Sequence, residues 1–277
     1  MTMTDDAPRL TDDDLARVME LIKDSDSVEL KLTVPDAASL KLDPLDAEIR
    51  QVFFFDTPRL TLYEHGVVVR ARRAQRKGDD SVVKLRPVVP SELPGRVRKR
   101  PEFAVEVDFI PGAFVCSGSM KGVPGADVRK AVAGQRPLSK LFSKAQRALY
   151  AEHAPEGVAL DDLSVLGPIF VLKLKFAPKG FDRRLVAELW LYPDDSRIIE
   201  LSTKCGPHEA FEIAAEMRAF MTKRGVDFAG EQEPKTRKAL EFFSERLTGT
   251  NVVPSADEPT PLEKAEPAKA KQAQTSS

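Results

Sequence analysis

Seven short apolar runs carry charged residues two positions apart, or a single charge in the same register. They are SVELKLTV (27–34), VVVRARR (67–73), VVKLRP (82–87), AVEVDF (104–109), VLKLKF (171–176), VAELWL (186–191) and IIELS (198–202). Residues i and i+2 of a β-strand share a face, so each run has one apolar face and one face of fixed charge. The cations are Lys31, Arg70, Arg72, Lys84, Arg86, Lys173 and Lys175; the carboxylates are Glu29, Glu106, Asp108, Glu188 and Glu200. Only the first run mixes signs. Cations of this kind suit phosphoryl oxygens, and carboxylates suit a divalent metal that phosphates also bind.

The elements that would position these residues are legible from periodicity and turn chemistry. Thr11 with Asp14 three residues later starts a helix over 11–23, with Leu15, Val18, Met19 and Ile22 on one face. Residues 35–48 read as a loop or short helix, and 49–60 as a strand that ends at Thr57-Pro58, because proline cannot continue a central strand. Segments 73–80 and 87–101 read as polar loops. The second holds Arg96, Arg98, Lys99 and Arg100, a solvated run or a charged lip over a site. Segment 110–136 gives no clear element. Further helices are expected over 138–152, 208–224 and 235–247. Residues 1–24 form an N-terminal segment with its helix, 25–248 the main domain, and 249–277 a Pro-, Ala- and Lys-rich tail expected to be disordered.

Bulk composition narrows the function classes. A chain of 277 residues buries a substantial core. A net charge of −1 gives no global basic field, so a nucleic-acid partner is not expected and anion preference must come from local clustering. Cys116 and Cys205 are the only cysteines, too few for a disulfide framework, and a reduced cytoplasmic setting is the simplest expectation. No signal-peptide pattern opens the chain and no apolar run approaches the length of a membrane span. His65, His153 and His208 are far apart and read as loop or helix-end residues. Phosphate-loop, dinucleotide and nucleophile-elbow motifs are absent.

Alternation alone permits the charges to face water. Two features favour the opposite orientation. The amphipathic helices need an apolar surface, which the strands' Val, Leu, Ile and Phe faces provide if the helices lie outside. The segregation of sign by strand also differs from a generic solvent face. Enclosed like charges are costly unless opposite charge or a ligand faces them. An α+β fold follows: an antiparallel β-barrel of about eight strands, charged faces inward and amphipathic helices packed outside. Trp190 shares a register with Glu188 and either lines that interior or packs in the wall.

These residues resemble the CYTH family, the triphosphate tunnel metalloenzymes, which includes class IV adenylate cyclases, thiamine triphosphatases and inorganic triphosphatases. SVELK (27–31) matches the opening E-x-E-x-K strand. FFDT (54–57), the Gly66 turn and VRAR (69–72) match the second and third strands. VKLR (83–86), VEVD (105–108), IELS (199–202) and PKTRKAL (234–240) follow in order, so the resemblance covers about residues 27–247. It implies a tunnel that takes a triphosphate or polyphosphate with Mg²⁺ or Mn²⁺. Glu29 and Lys31 would be catalytic, Lys31 positioning phosphate or water. Arg70, Arg72, Lys84, Arg86, Lys173, Lys175 and Arg184 would grip phosphoryl oxygens. Glu29, Glu106, Asp108, Glu188 and Glu200 would serve the metal, and Lys235 would reach toward phosphate from the last helix. Metal-dependent triphosphate hydrolysis is the first expectation, with a class IV-type cyclase and a polyphosphate binder as alternatives. No membrane partner is expected; a homodimer is left open. Two departures stand out: Ser27 replaces the first Glu of the opening motif, and Ser202 the second Glu of the late pair. Each removes one negative charge from the implied metal ring.

Overall fold

The computed structural model describes residues 12–35, 40–226, 232 and 235–249. Expectations for residues 1–11, the Thr11 cap among them, and for the tail beyond Gly249 fall outside these. Among the described residues nine strands close into one barrel. They are β1 (Ser27–Val34), β2 (Glu48–Asp56), β3 (Val67–Ala74), β4 (Asp80–Leu85), β5 (Phe103–Ile110), β6 (Ala113–Gly122), β7 (Ser164–Phe176), β8 (Leu185–Leu191) and β9 (Arg197–Cys205). Their order around the barrel is β1-β5-β6-β4-β3-β2-β7-β8-β9. The barrel expectation holds with two refinements. There are nine strands rather than eight, because the unassigned stretch 110–136 contains β6. The pairing is also mixed, because β1 and β5 run parallel while β1 and β9 run antiparallel.

Seven α-helices accompany the barrel among the described residues: α1 (Asp12–Lys23), α2 (Thr61–Glu64), α3 (Gly95–Arg98), α4 (Val128–Val132), α5 (Lys144–His153), α6 (Ala210–Lys223) and α7 (Lys235–Thr248). The helix expected over 138–152 is split. Leu138–Leu141 is a 3-10 turn, and Ser143 then caps α5 in a reciprocal capping box with Gln146. Gln146 is fully buried and also bonds Ser81 and the Met120 carbonyl, which fixes α5 to β4 and β6.

The main core lies between the outer faces of the strands and the helices. Val28, Leu30, Leu32 and Val34 of β1 join Val18 and Ile22 of α1 and Ile213, Met217 and Met221 of α6 in one cluster. Burying such side chains stabilises by about 1.5–3 kcal/mol each, which outweighs any propensity term. Strand β2 ends in Asp56, a buried carboxylate that accepts hydrogen bonds from the Thr57, Leu62 and Tyr63 amides at 2.7, 2.8 and 3.0 Å. It thus satisfies the orphan donors that open α2. Asp56→Ala is expected to lower stability by about 2 kcal/mol, read as a lower urea midpoint at unchanged slope. Gly66 adopts φ +71, where a Cβ would lie 2.7 Å from the Arg86 carbonyl. Its own carbonyl accepts the Arg86 amide at 2.8 Å, which anchors the end of β4.

Candidate functional site

The alternation resolves in favour of an interior site. Along β1, Val28, Leu30, Leu32 and Val34 are buried in the outer core, whereas Ser27, Glu29, Lys31 and Thr33 alternate with them on the barrel's inner side and are only partly exposed. Arg70 and Arg72 of β3, Lys84 and Arg86 on and beyond β4, and Glu106 and Asp108 of β5 alternate in the same way. The parallel β1/β5 pair sets Glu29 beside Asp108 and Ser27 beside Glu106.

One charged cluster centres on Asp108, whose side chain is 3% exposed. Lys31 Nζ donates to its Oδ1 at 2.7 Å and lies 3.3 Å from Glu29 Oε2. Arg86 and Lys84 approach Asp108 Oδ2 at 3.5 and 3.8 Å, and among the described residues that oxygen has no hydrogen-bond partner. Burial opposes charge on Asp108, but Lys31, Lys84 and Arg86 outweigh it and hold the carboxyl far below its ordinary range. Burial likewise opposes charge on Lys31, but Asp108 and Glu29 raise its pKa, so it stays a cation at neutral pH. Lys84 behaves oppositely: burial, helped by Arg86, Lys31 and Arg70, outweighs Asp108 and pushes it down to about 7.

Glu29, Glu106 and Asp108 each offer an oxygen within 4.8 Å of the others. An all-oxygen carboxylate set fits a hard divalent cation such as Mg²⁺ or Mn²⁺, and the unbonded Oδ2 of Asp108 leaves a lone pair free for one. Around these carboxylates, Ser202 Oγ donates to Glu29 Oε1 at 3.1 Å, Ser27 Oγ approaches Glu106 Oε2 at 3.5 Å, and Lys204 pairs with Glu106. The serines that replace expected glutamates therefore hydrogen-bond the carboxylates that remain. Beside the cluster, Arg70 Nε is buried without a hydrogen-bond partner among the described residues. Burial and the neighbouring Arg72 push its guanidinium down to about 9, so it remains charged at neutral pH. Arg72 is held by Asp80 through Nε at 2.9 Å and Nη2 at 2.7 Å.

The other two predicted carboxylates lie in a second cluster. Glu188 and Glu200 are cross-strand neighbours. Lys235, from the first turn of α7, bonds both at 2.6 Å, and Lys173 bonds Glu188 at 2.6 Å. Lys235 does reach inward, but its partners here are carboxylates. Trp190 donates to Glu188 at 3.2 Å with Lys235 5.0 Å from its ring centre, and the ring is only 3% exposed, so it packs in the wall. Val52, Phe54, Ile169, Val171 and Ile198 join it in a compact apolar cluster with Ala239 and Leu240 of α7. That part of the interior is filled, whereas the side chains of Lys84 and Arg86 keep 21% and 29% of their surface exposed.

Burial opposes charge on Glu188, but Lys235 and Lys173 hold it well below the ordinary carboxylate range. A depressed folded-state pKa contributes stability that is present above the unfolded value and lost as pH falls through the folded one. The urea midpoint is therefore expected to drop as pH is lowered below about 4, and to drop less in Glu188→Gln.

Lys175 shares the inward register of β7 but is exposed, and Arg184 precedes β8 in the inward register, also exposed. The Thr203 hydroxyl of β9 donates to the Arg184 carbonyl at 3.0 Å. Several interior residues escaped the sequence reading: Lys204, two positions beyond Ser202; Lys121 at the end of β6; and the Glu48–Arg50 pair at the start of β2, joined at 3.1 Å. The two-residue spacing Glu200–Ser202–Lys204 and Glu48–Arg50 was the available signal. Arg96 and Arg98 form no lip: Arg96 pairs with Glu152 on α5, and Arg98 pairs with Asp26 at 3.0 Å. The histidines sit at helix ends or in a short turn, as expected.

A closed barrel with an ionic interior and outer helices defines a tunnel-type fold. Solved structures share it. A protein from Hippeastrum, described as a candidate adenylyl cyclase with a dominant triphosphatase activity, matches with TM-score 0.51 at 15% identity, over 74% of this chain and 91% of its own. A candidate adenylate cyclase from Bacillus halodurans matches with TM-score 0.52 at 10% identity, over 77% and 97%. The chain thus has the CYTH-type tunnel fold that its motifs resemble. No protein-family model matches it, and no curated protein matches it at the sequence level. Among the described residues no helix is long and apolar enough to cross a membrane.

Proposed function

We propose that the interior site binds the phosphate chain of a triphosphate together with a divalent cation, and that the protein hydrolyses it. The observation that carries this reading is the pairing of an under-compensated cationic wall with a three-carboxylate cluster. The Arg70 Nε is buried and unsatisfied among the described residues, Lys84 is pushed down to about 7, and Glu29, Glu106 and Asp108 converge beside them. Buried charge of one sign is costly unless an opposite charge reaches it, and a polyanion is that charge.

Phosphoryl transfer is largely positioning and charge neutralisation. Arg70, Arg72, Lys84 and Arg86 line one wall and would hold successive phosphoryl oxygens. Glu29, Glu106 and Asp108 would hold Mg²⁺ or Mn²⁺, which when bound offsets negative charge on the phosphoryl oxygens and favours attack at phosphorus. Lys31 is pinned between Asp108 and Glu29 and kept protonated. It therefore acts as a fixed donor to a phosphoryl oxygen or to water, and not as a base.

A cyclase would need a place for the base. Trp190, an aromatic residue in the inward register, is packed and hydrogen-bonded, which favours a site that reads phosphates alone. A binder without turnover is the second reading. Its support is Ser27 and Ser202, which leave the carboxylate ring short of the charge that the resembling family places there. The test is phosphate release from tripolyphosphate, ATP and thiamine triphosphate with Mg²⁺ or Mn²⁺, run beside Glu29→Gln. Metal-dependent release from tripolyphosphate, lowered about 10²-fold or more in the variant, is expected. Equal release in both proteins overturns the assignment, and pyrophosphate with cyclic AMP from ATP identifies a cyclase.

A further inference from the structure

We infer, on the proposal that Glu29, Glu106 and Asp108 hold a divalent cation, that the Ser117 hydroxyl of β6 is a further oxygen ligand to that cation. Packing fixes which way β6 faces: Phe114, Cys116 and Met120 belong to the main core outside the barrel. Alternation then turns Val115, Ser117 and Ser119 toward the interior. Across the β5/β6 ladder Ser117 is the partner of Glu106, and Asp108 is the next inward residue of β5, opposite Val115. On the other side of β5, Glu106 is the partner of Ser27 and Asp108 of Glu29 on β1. Ser117 and Glu29 therefore flank Glu106 and Asp108 from opposite sides.

Ser117 is fully buried, and among the described residues its Oγ has no hydrogen-bond partner. A hydroxyl rotates freely to find a donor or an acceptor, so a buried one left alone points to a missing partner. Other serines at this site are engaged: Ser202 donates to Glu29 at 3.1 Å, and Ser27 lies 3.5 Å from Glu106. Asp108 Oδ2, on the strand next to Ser117, is the second buried oxygen there without a hydrogen-bond partner among the described residues. A divalent cation accepts lone pairs from charged and neutral oxygens alike, so one ion answers both. Mg²⁺ and Mn²⁺ favour six oxygens in an octahedral shell. A serine or threonine hydroxyl serves as such a ligand to Mg²⁺ in phosphate-binding loops. Ser117 thus adds a ligand to the three carboxylates without adding charge to a site where Ser27 and Ser202 already leave charge out.

The test is Mn²⁺ titration of the full chain, with and without tripolyphosphate, followed by electron paramagnetic resonance of the free ion. Ser117→Ala is expected to bind Mn²⁺ about 10-fold more weakly, the scale on which partners in a metal site act. Its urea midpoint is expected to equal or exceed that of wild type, because the change deletes an unsatisfied buried hydroxyl. Ser119→Ala, whose cross-strand neighbours are Lys84 and Ala104, is expected to bind as wild type does. Ser117→Cys sets a soft ligand at the same point. It is expected to bind Cd²⁺ more tightly than wild type and to show thiolate-to-metal charge-transfer absorption in the ultraviolet. Unchanged Mn²⁺ affinity in Ser117→Ala overturns the proposal, and weakened binding in Glu106→Gln beside it leaves the carboxylate site standing. Equal weakening in Ser119→Ala, or no Cd²⁺ absorption from a Ser117→Cys protein with the wild-type urea midpoint, overturns it as well. Wild type that binds no Mn²⁺ at about millimolar concentration overturns both this assignment and the metal site on which it stands.

Discussion

Asp108→Asn is expected to lower stability by about 3 kcal/mol and to remove metal-dependent turnover. Asp108 is almost fully enclosed and compensates three cations at once: Lys31 at 2.7 Å, Arg86 at 3.5 Å and Lys84 at 3.8 Å. Removing one member of a buried ionic network leaves the others uncompensated, which typically costs about 3–5 kcal/mol. Asparagine keeps an oxygen that can accept from Lys31, which puts the effect at the lower end. The same change deletes one of three candidate metal ligands, so phosphate release is expected to fall at least about 10³-fold. Urea unfolding and phosphate release, measured on the same preparation, check both parts. A stability change below about 1 kcal/mol would mean that these charges are well hydrated and that the cluster is no enclosed site.

Arg70→Met is expected to move stability and function in opposite directions. Arg70 Nε is buried and unsatisfied, and burial with the adjacent Arg72 pushes its pKa down to about 9. Replacing an uncompensated buried charge by an apolar side chain of similar length is expected to raise stability by about 1–3 kcal/mol. Loss of a charge-assisted hydrogen bond to phosphate is expected to weaken tripolyphosphate binding by about 10²-fold. A residue kept for its ligand behaves this way, since the strain it introduces is relieved only when the anion arrives. If Arg70 served only to pack the barrel, its replacement would lower stability and leave binding unchanged.

Most of the barrel was legible because two independent signals coincided: alternation of period two, and a single sign of charge on every predicted ionic face but that of β1. β6 lacked both. Its sequence AFVCSGSMKG carries one charge near its end, and its inward positions next to Glu106 and Ala104 are Ser117 and Ser119. Gly118 is there because a Cβ would lie 2.6 Å from the Phe103 ring, a cross-strand constraint that no local pattern records. The parallel β1/β5 pair was equally hidden, since strands some eighty residues apart meet only when the barrel closes.

Within the site, charge type was legible and partnership was not. Glu29, Glu106 and Asp108 come together as a carboxylate set. Glu188 and Glu200, of the same type and register, are occupied by Lys173 and by Lys235 from a helix that lies far away in sequence. Lys235 reaches Glu188 and Glu200 because α7 packs through Ala239 and Leu240 on the apolar cluster beside them, a contact that no local pattern records.

Calorimetric titration of tripolyphosphate into the wild-type protein with Mg²⁺ most directly tests whether the ionic interior is a polyanion site. One equivalent is predicted to bind with a dissociation constant of about micromolar or tighter, weakening as salt is raised and by about 10²-fold in Arg70→Met. Absence of binding at about millimolar tripolyphosphate, or binding that Arg70→Met leaves intact, would contradict it.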